Sequence, residues 1–329
     1  MMKTYDQILE SLHKIQAHII TVTPNPVIDK SFLIKNFQIG ETYVADESQL
    51  LAAGKGVNVS RALAFLGIKS IATGLLPRHG FNLYTALLQK DIFSFDFVET
   101  DGFVRTNITI MSDSSEKETH IREKGSVIAP SVLSQMKDKL RSLARTAKGA
   151  VVFSGSLPSG LPPNTYKNLI QDVSKIPLQV CFDASETPFK IGINAKPWLI
   201  KPNLKEVQDA LGFLPREPNS MFRALHKFHK MDITHVFISM GKNGIIYSNG
   251  NTAIRSWVEV EHPINSVGSG DATLAGGLAG ILGGLPPEVT GRLACTLGAA
   301  NTLVSGACLI NLEHARSLWL RVKQEHLKP

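Results

Sequence analysis

INSVGSGDATLAGG, residues 264–277, is the stretch whose reading decides the rest of the chain. Gly268, Ser269 and Gly270 precede Asp271, and Ala272, Thr273, Leu274 and Ala275 then read as the start of a helix rich in small residues. Glycines let successive backbone N–H groups turn toward one point, and the free N–H groups of a helix start add partial positive charge there. Such a nest suits a phosphate oxygen. An aspartate at its rim can accept the proton of a hydroxyl that attacks phosphorus. The same tetrapeptide also reads as an ordinary turn closed by an N-cap aspartate.

Working outward, a second glycine turn lies at residues 52–58, AAGKGVN, and opens a helix marked by Val59, Ala62, Leu63 and Leu66 and stopped by Gly67. Gly54, Lys55 and Asn58 can there hold a phosphate or sugar hydroxyls. The chain has no G-x-x-x-x-G-K-[ST] and no strand followed by G-x-G-x-x-G, which counts against P-loop and dinucleotide readings. HIITVT at 18–23 is a first strand stopped by Pro24-Asn25-Pro26, and Asp29 lies just beyond it. Ligands gather at the carboxyl ends of parallel strands, so Asp29 is a candidate for sugar hydroxyls, with a solvated loop aspartate as the alternative.

From about residue 127, apolar runs at 150–154, 179–183, 198–201 and 234–239 alternate with longer helical patterns. That alternation predicts an α/β fold with a doubly wound, mostly parallel sheet flanked by helices. The runs end in turn-forming residues, among them Asp183-Ala184-Ser185, Lys201-Pro202-Asn203 and the segment Ser239 to Gly244, which would line one crevice. Asn203 and Glu206 share a helix face and can hold Mg²⁺ through water, although Glu206 equally reads as a capping residue. Short alternations near 30–51 and 92–125 suggest a small exposed sheet, and Arg105 in FVRTNITIM could meet a phosphate bidentately or be a surface arginine.

Composition narrows the class. A chain of 329 residues, 43% apolar, supports a substantial globular core. The net charge of +7 is dispersed and fits a small anionic substrate without nucleic acid. Cys181, Cys295 and Cys308 lack metal-ligand spacing and read as reduced, buried thiols of a cytoplasmic protein. The start of the chain has no signal-peptide pattern, and residues 1–17 read as an added helix through Ile8, Leu12 and Ile15. The uncharged stretch preceding Glu313 is too polar for a membrane span and suggests close-packed buried helices.

Together the motifs resemble the ribokinase-like PfkB family of carbohydrate kinases, from about His18 to near the C-terminus. AAGKGVNVSRALAFLG at 52–67 and INSVGSGDATLAGG at 264–277 carry the likeness, with VFSGSLPSGLP at 152–162, WLIKPNLKEV at 198–207 and ISMGKNG at 238–244 between them in the family's order. TVTPNPVIDKS at 21–31 and VRTNITI at 104–110 are similar to the branch that acts on phosphorylated hexoses.

The resemblance implies one kinase domain over 18–329 with a small β lid from 30–51 and 92–125. It implies ATP-dependent phosphorylation of fructose 1-phosphate to fructose 1,6-bisphosphate, with tagatose 6-phosphate or fructose 6-phosphate as alternative substrates. Asp271 would be the general base, and Gly268, Ser269 and Gly270 the anion hole. Asp29, Gly54, Lys55, Asn58 and Arg105 would hold the sugar phosphate, Lys55 and Arg105 facing its existing phosphate. Lys201, Asn203, Ser239, Gly241, Gly244 and Gly270 would line the ATP site, and Asn203 and Glu206 would place Mg²⁺. Family lids often pair between chains, so a homodimer is expected.

Two departures stand out. Asp183-Ala184-Ser185-Glu186 replaces the commoner Asp-x-Ser-Gly, and Ser269 stands where many members carry alanine. A catalytically silent sugar-phosphate-binding protein is the rival of another class; it predicts damage at Asp271, its glycines, Asn203 or Glu206, all of which are intact.

Overall fold

The computed structural model describes residues 3–112 and 115–327. The first helix, α1 (Tyr5–Leu12), is set by a capping box in which the Thr4 hydroxyl and the Gln7 amide each accept the other's backbone N–H, and it buries Tyr5, Ile8 and Leu12. Strand β1 (His18–Thr23) follows, then β2 (Val27–Leu33), β3 (Glu47–Ala53), α2 (Lys55–Phe65), β4 (Lys69–His79) and α3 (Phe81–Leu88). Next come β5 (Ser94–Phe95), β6 (Val98–Phe103), β7 (Arg105–Ser112) and β8 (Ser115–Arg122).

Helix and strand then alternate: α4 (Val132–Ala144), β9 (Ala150–Ser154), α5 (Thr165–Val173), β10 (Gln179–Asp183), α6 (Glu186–Gly192), β11 (Leu199–Ile200), α7 (Leu204–Leu211), α8 (Pro218–His229) and β12 (His235–Ser239). The chain closes with β13 (Ile245–Ser248), β14 (Ala253–Trp257), α9 (Ser269–Leu282), α10 (Pro287–Asn301), α11 (Leu312–Arg321) and β15 (Lys323–His326).

The main sheet runs β15-β14-β13-β12-β11-β10-β9-β1-β4-β5, with β6 also on β4. It is parallel from β12 through β4 and antiparallel from β12 to β15. Its central strands are apolar on both faces because both are covered. Ile19, Val152, Cys181, Leu199 and Phe237 pack with α1, α2, α9, α10 and α11. Their neighbours in sequence, including Ile20, Val151, Phe182, Ile200 and Val236, pack with α4 to α8. The chain leaves β1 toward β4 on one side and reaches β9 on the other, so a switch point opens at the carboxyl end of β1.

The small sheet has four strands in the order β3-β2-β7-β8. Its second segment begins at Arg105, not near residue 92, because β5 and β6 pair with β4. β5 and β6 follow β4 in one parallel register, Ile71 beside Ser94 and Leu75 beside Val98, and Phe97 between them packs edge-on against buried Tyr84.

The sequence around 293–312 folds into α10 and the start of α11, and among the described residues no helix is long and apolar enough to cross a membrane. Helices α9 and α10 approach closely: a Cβ added at Gly276 would lie 2.9 Å from the Leu297 Cδ1. Cys181, Cys295 and Cys308 are all buried free thiols.

Candidate active site

Helix α9 starts at Ser269, three residues before the Ala272 at which the sequence pattern places it, so Asp271 lies inside the first turn and does not cap it. Gly268, its N-cap, has φ +86°, a conformation that glycine takes without steric cost. Ser269, Gly270 and Asp271 form the first turn, where the N–H groups of Gly270 and Asp271 have no intrahelical carbonyl to bond. The Ser269 hydroxyl is turned inward, accepting from the amide of fully buried Asn301 at 3.0 Å. What stands in the place of alanine therefore ties the turn to α10, while its backbone N–H makes only a long 3.4 Å bond to the Ser266 carbonyl.

Asp271 is 4% exposed. Its Oδ2 accepts from the Nδ2 of Asn58 at 2.8 Å, which joins α9 to α2. Burial pushes the Asp271 carboxyl up to about 6; Lys55 and the Asn58 hydrogen bond pull the other way, and the nearby Asp183 adds to the rise. A carboxylate in that range ionises near neutral pH and can take a proton from an alcohol.

Helix α2 starts at the other glycine turn. Gly54 has φ +133°, and a Cβ there would meet the Thr23 Cγ2 at 2.5 Å. The Thr23 hydroxyl accepts from the Val57 N–H at 3.0 Å and caps the helix in place of an N-cap side chain. Lys55, in the first turn, donates from Nζ to both carboxylate oxygens of Asp183 at 3.3 Å. Lys201 lies 3.5 Å from the same carboxylate, which is 1% exposed. A Cβ at Gly270 would sit 3.1 Å from the Lys201 Nζ, so this ammonium hangs over the first turn of α9. Burial opposes the charge on Lys55, but Asp183, Asp271 and Glu206 more than offset it and raise its hold on the proton.

Asp29 and Arg105 lie on the small sheet. In-register pairing places Asp29 beside Asn107, and Asn107 beside Arg122, on one face. The Asn107 Nδ2 donates to Asp29 Oδ1 at 3.1 Å. Burial raises the Asp29 carboxyl, moderated by that bond and by Arg105. Arg105 sends its Nη groups to the carbonyls of Asn25 (3.1 Å) and Glu123 (3.4 Å), while its Nε is buried without a partner. Asn107 Oδ1 and Glu118 Oε1 are likewise buried and unpaired. A cavity lies between this face and the loops at 265–267 and 305–307; Asp29, Asn107 and Arg122 line it, whereas Arg105 lines a separate cleft with Asn25 and Phe103.

On the far side of the crevice, Asn203 caps α7. Its Oδ1 accepts from the Glu206 N–H at 2.9 Å and its own N–H donates to Glu206 Oε2 at 2.8 Å. Glu206 Oε1 accepts from the Ser185 hydroxyl at 2.7 Å. The capping reading of Glu206 is thus what the structure displays, with lone pairs remaining on both carboxylate oxygens. Asn203 bridges to Ser239, and Gly241 and Gly244 bound a short 3₁₀ turn after β12. Lys201, two residues before Asn203, brings this group to the α9 turn.

The sequence pattern puts Asp183 on the crevice edge without a role and passes over Arg61. Asp183, the one charge in QVCFD, bridges both lysines; a carboxylate closing an otherwise apolar strand is its signal. Arg61 sits in the buried run of α2 at three residues from Asn58, on the same helix face.

Residues 26–315 match the family model described as pfkB family carbohydrate kinase. The chain is 28% identical to a Vibrio cholerae 1-phosphofructokinase over 315 residues, covering 94% of this chain and 98% of that protein. It is 29% identical to the Bacillus subtilis 1-phosphofructokinase over 282 residues, 86% of this chain and 91% of that one. Among solved structures, Escherichia coli phosphofructokinase-2 with substrates and products superposes with a TM-score of 0.84 at 19% identity, covering 92% of this chain and 98% of that chain, a likeness of fold. The chain belongs to the pfkB family of carbohydrate kinases.

Proposed function

We propose that this protein transfers the γ-phosphoryl group of ATP to the free primary hydroxyl of fructose 1-phosphate, giving fructose 1,6-bisphosphate and ADP. The observation that carries the reading is Asp271: a buried carboxylate in the first turn of α9, held by Asn58 and flanked by Lys55 and Lys201. The curated relatives named 1-phosphofructokinase, matched over most of the chain, support the substrate.

In this mechanism the sugar hydroxyl gives its proton to Asp271 as its oxygen bonds to the γ-phosphorus. The bond from that phosphorus to the bridging oxygen breaks, and ADP leaves with the electron pair. The N–H groups of Ser269 and Gly270 and the ammonium of Lys201 stabilise the charge on the moving phosphoryl oxygens. Asp29, Gly54, Lys55 and Asn58 hold the sugar, and Lys55 and Arg105 are the candidate cations for its existing phosphate, once released from Asp183 and from the Asn25 and Glu123 carbonyls. Asn203, Ser239, Gly241 and Gly244 line the nucleotide side.

Among the described residues no cluster of three acidic, histidine or cysteine side chains forms a metal cage. One carboxylate, Glu206, with lone pairs to spare beside the nucleotide side, fits a Mg²⁺ that keeps its waters and binds mainly to phosphate. Glu206 would hold such an ion through water, and the ion would supply positive charge to offset that of the phosphates. Three buried thiols suit the reducing cytoplasm. The outer face of the small sheet, with Leu50 42% and Ile121 52% exposed, suits pairing with a second copy in a homodimer.

The deciding experiment is kcat/KM with ATP and Mg²⁺ for fructose 1-phosphate, fructose 6-phosphate and tagatose 6-phosphate, followed by ADP release. Preference for fructose 1-phosphate is expected. Preference for a 6-phosphate keeps the chemistry and changes the substrate, and turnover of none overturns the kinase reading.

A further inference from the structure

Arg61 uses every donor it has on groups around the site. Its Nε and one Nη grip Asp91 at 2.9 and 2.7 Å, and that Nη also donates to the Ala52 carbonyl at 2.9 Å. The other Nη donates to the Ala307 carbonyl at 3.3 Å and to Asn58 Oδ1 at 3.4 Å. The side chain is 6% exposed, so none of these bonds has water as a ready substitute.

An asparagine amide has a donor end and an acceptor end of nearly equal shape. Asn58 presents its NH₂ to Asp271, and the opposite orientation would press a carbonyl oxygen against a carboxylate. We propose that Arg61 is a positioning residue for phosphoryl transfer: by bonding Oδ1 of Asn58 it fixes which end of that amide faces Asp271. The inference rests on the reading of Asp271 as the base.

Asp271 is faced by Asn58 and Lys55 from α2, by Asp183 at the end of β10, by Lys201 after β11 and by Cys308 from the loop after α10. Of these, the Asn58 bond is the one Arg61 controls directly. It favours the ionised form of the carboxyl against the effect of burial. Losing it leaves Asp271 protonated to higher pH.

Arg61→Met alone strands Asp91 in a mostly buried place, so the test also uses Arg61→Met combined with Asp91→Leu, which removes both charges together. The midpoint of the Asp271 carboxyl is read by ¹³C NMR titration of the full chain, assigned with Asp271→Asn, beside the acid limb of kcat. The expected result is an upward move of both by about one pH unit. In an Asn58→Ala background the Arg61 change is expected to move neither. An unmoved midpoint in the folded paired variant, or an equal shift without Asn58, overturns the proposal. A wild-type protein that turns over no hexose phosphate removes the kinase reading instead, and the titration still judges the Arg61–Asn58–Asp271 arrangement.

Discussion

Asn58 on α2 and Asp271 on α9, 213 residues apart in sequence, meet through a hydrogen bond of 2.8 Å in the buried floor of the crevice. Replacing Asp271 by Asn preserves the shape of this contact and removes the proton acceptor. The sugar phosphate is expected to bind with little change while kcat falls by roughly 10² or more. Isothermal titration with the sugar phosphate and initial rates check the two halves separately, and near-normal turnover removes Asp271 from the mechanism.

The same carboxyl links activity and stability to pH in opposite senses. Activity needs the ionised form and is expected to rise with pH through about 6. Its folded-state pKa lies above the unfolded value of 3.8, so the native state holds this proton more tightly. The stabilisation is full below the unfolded pKa and is lost as pH rises through the folded one. Asp271→Asn, which never ionises, should be more stable than wild type at pH 8 by about 3 kcal/mol and show no such gain near pH 3. Urea melts at both pH values decide this.

Lys55→Met and Arg105→Met test the placement of the substrate's own phosphate. Each is expected to raise KM for the sugar phosphate by roughly tenfold or more, the scale of a lost charge-assisted bond, and to leave KM for ATP within a factor of about two. Equal losses for both substrates would move these residues out of the sugar site.

Asp183 neutralises two lysines from the middle of the site. Asp183→Asn should cost about 3 kcal/mol, the usual scale for stranding buried charges. Added tripolyphosphate should then raise the melting temperature of this variant more than that of wild type, because the released ammonium groups take up the anion. An equal rise in both proteins argues against the bridge.

Glu186 occupies φ +57°, the left-handed region where the family's commoner glycine is at ease. This backbone costs an L-residue about 1 kcal/mol, so Glu186→Gly should stabilise the fold by roughly that amount in denaturant melts. The departure that the sequence displayed without explanation thus becomes a strained turn next to Ser185, whose hydroxyl holds Glu206.

Local patterns carried much of the architecture. The strand HIITVT and the runs ending at Ser154, Asp183 and Ser239 appear as read because each is short, apolar and followed by turn residues. The start of the small sheet's second segment was not legible. Residues 94–103 alternate much as an exposed strand does, and their pairing with β4 is a tertiary fact. The glycine turns at 54 and 268 announced themselves through residue type. Asp183 was legible as a crevice residue but not as a bridge, and Arg61 not at all, since their meaning lies in what stands opposite: Lys55 and Lys201, the latter just past β11, for one, the Asn58 amide and Asp91 for the other. Arg105 was legible as a cation but not as one already tied to the Asn25 and Glu123 carbonyls.

Strand β3 ends at Ala53 and α2 begins at Lys55, so a single residue, Gly54, separates the small sheet from the lysine that grips Asp183. With no slack between them, any tilt of the small sheet would turn the backbone that carries Lys55, so the sheet and the ammonium that grips Asp183 are joined as one rigid corner.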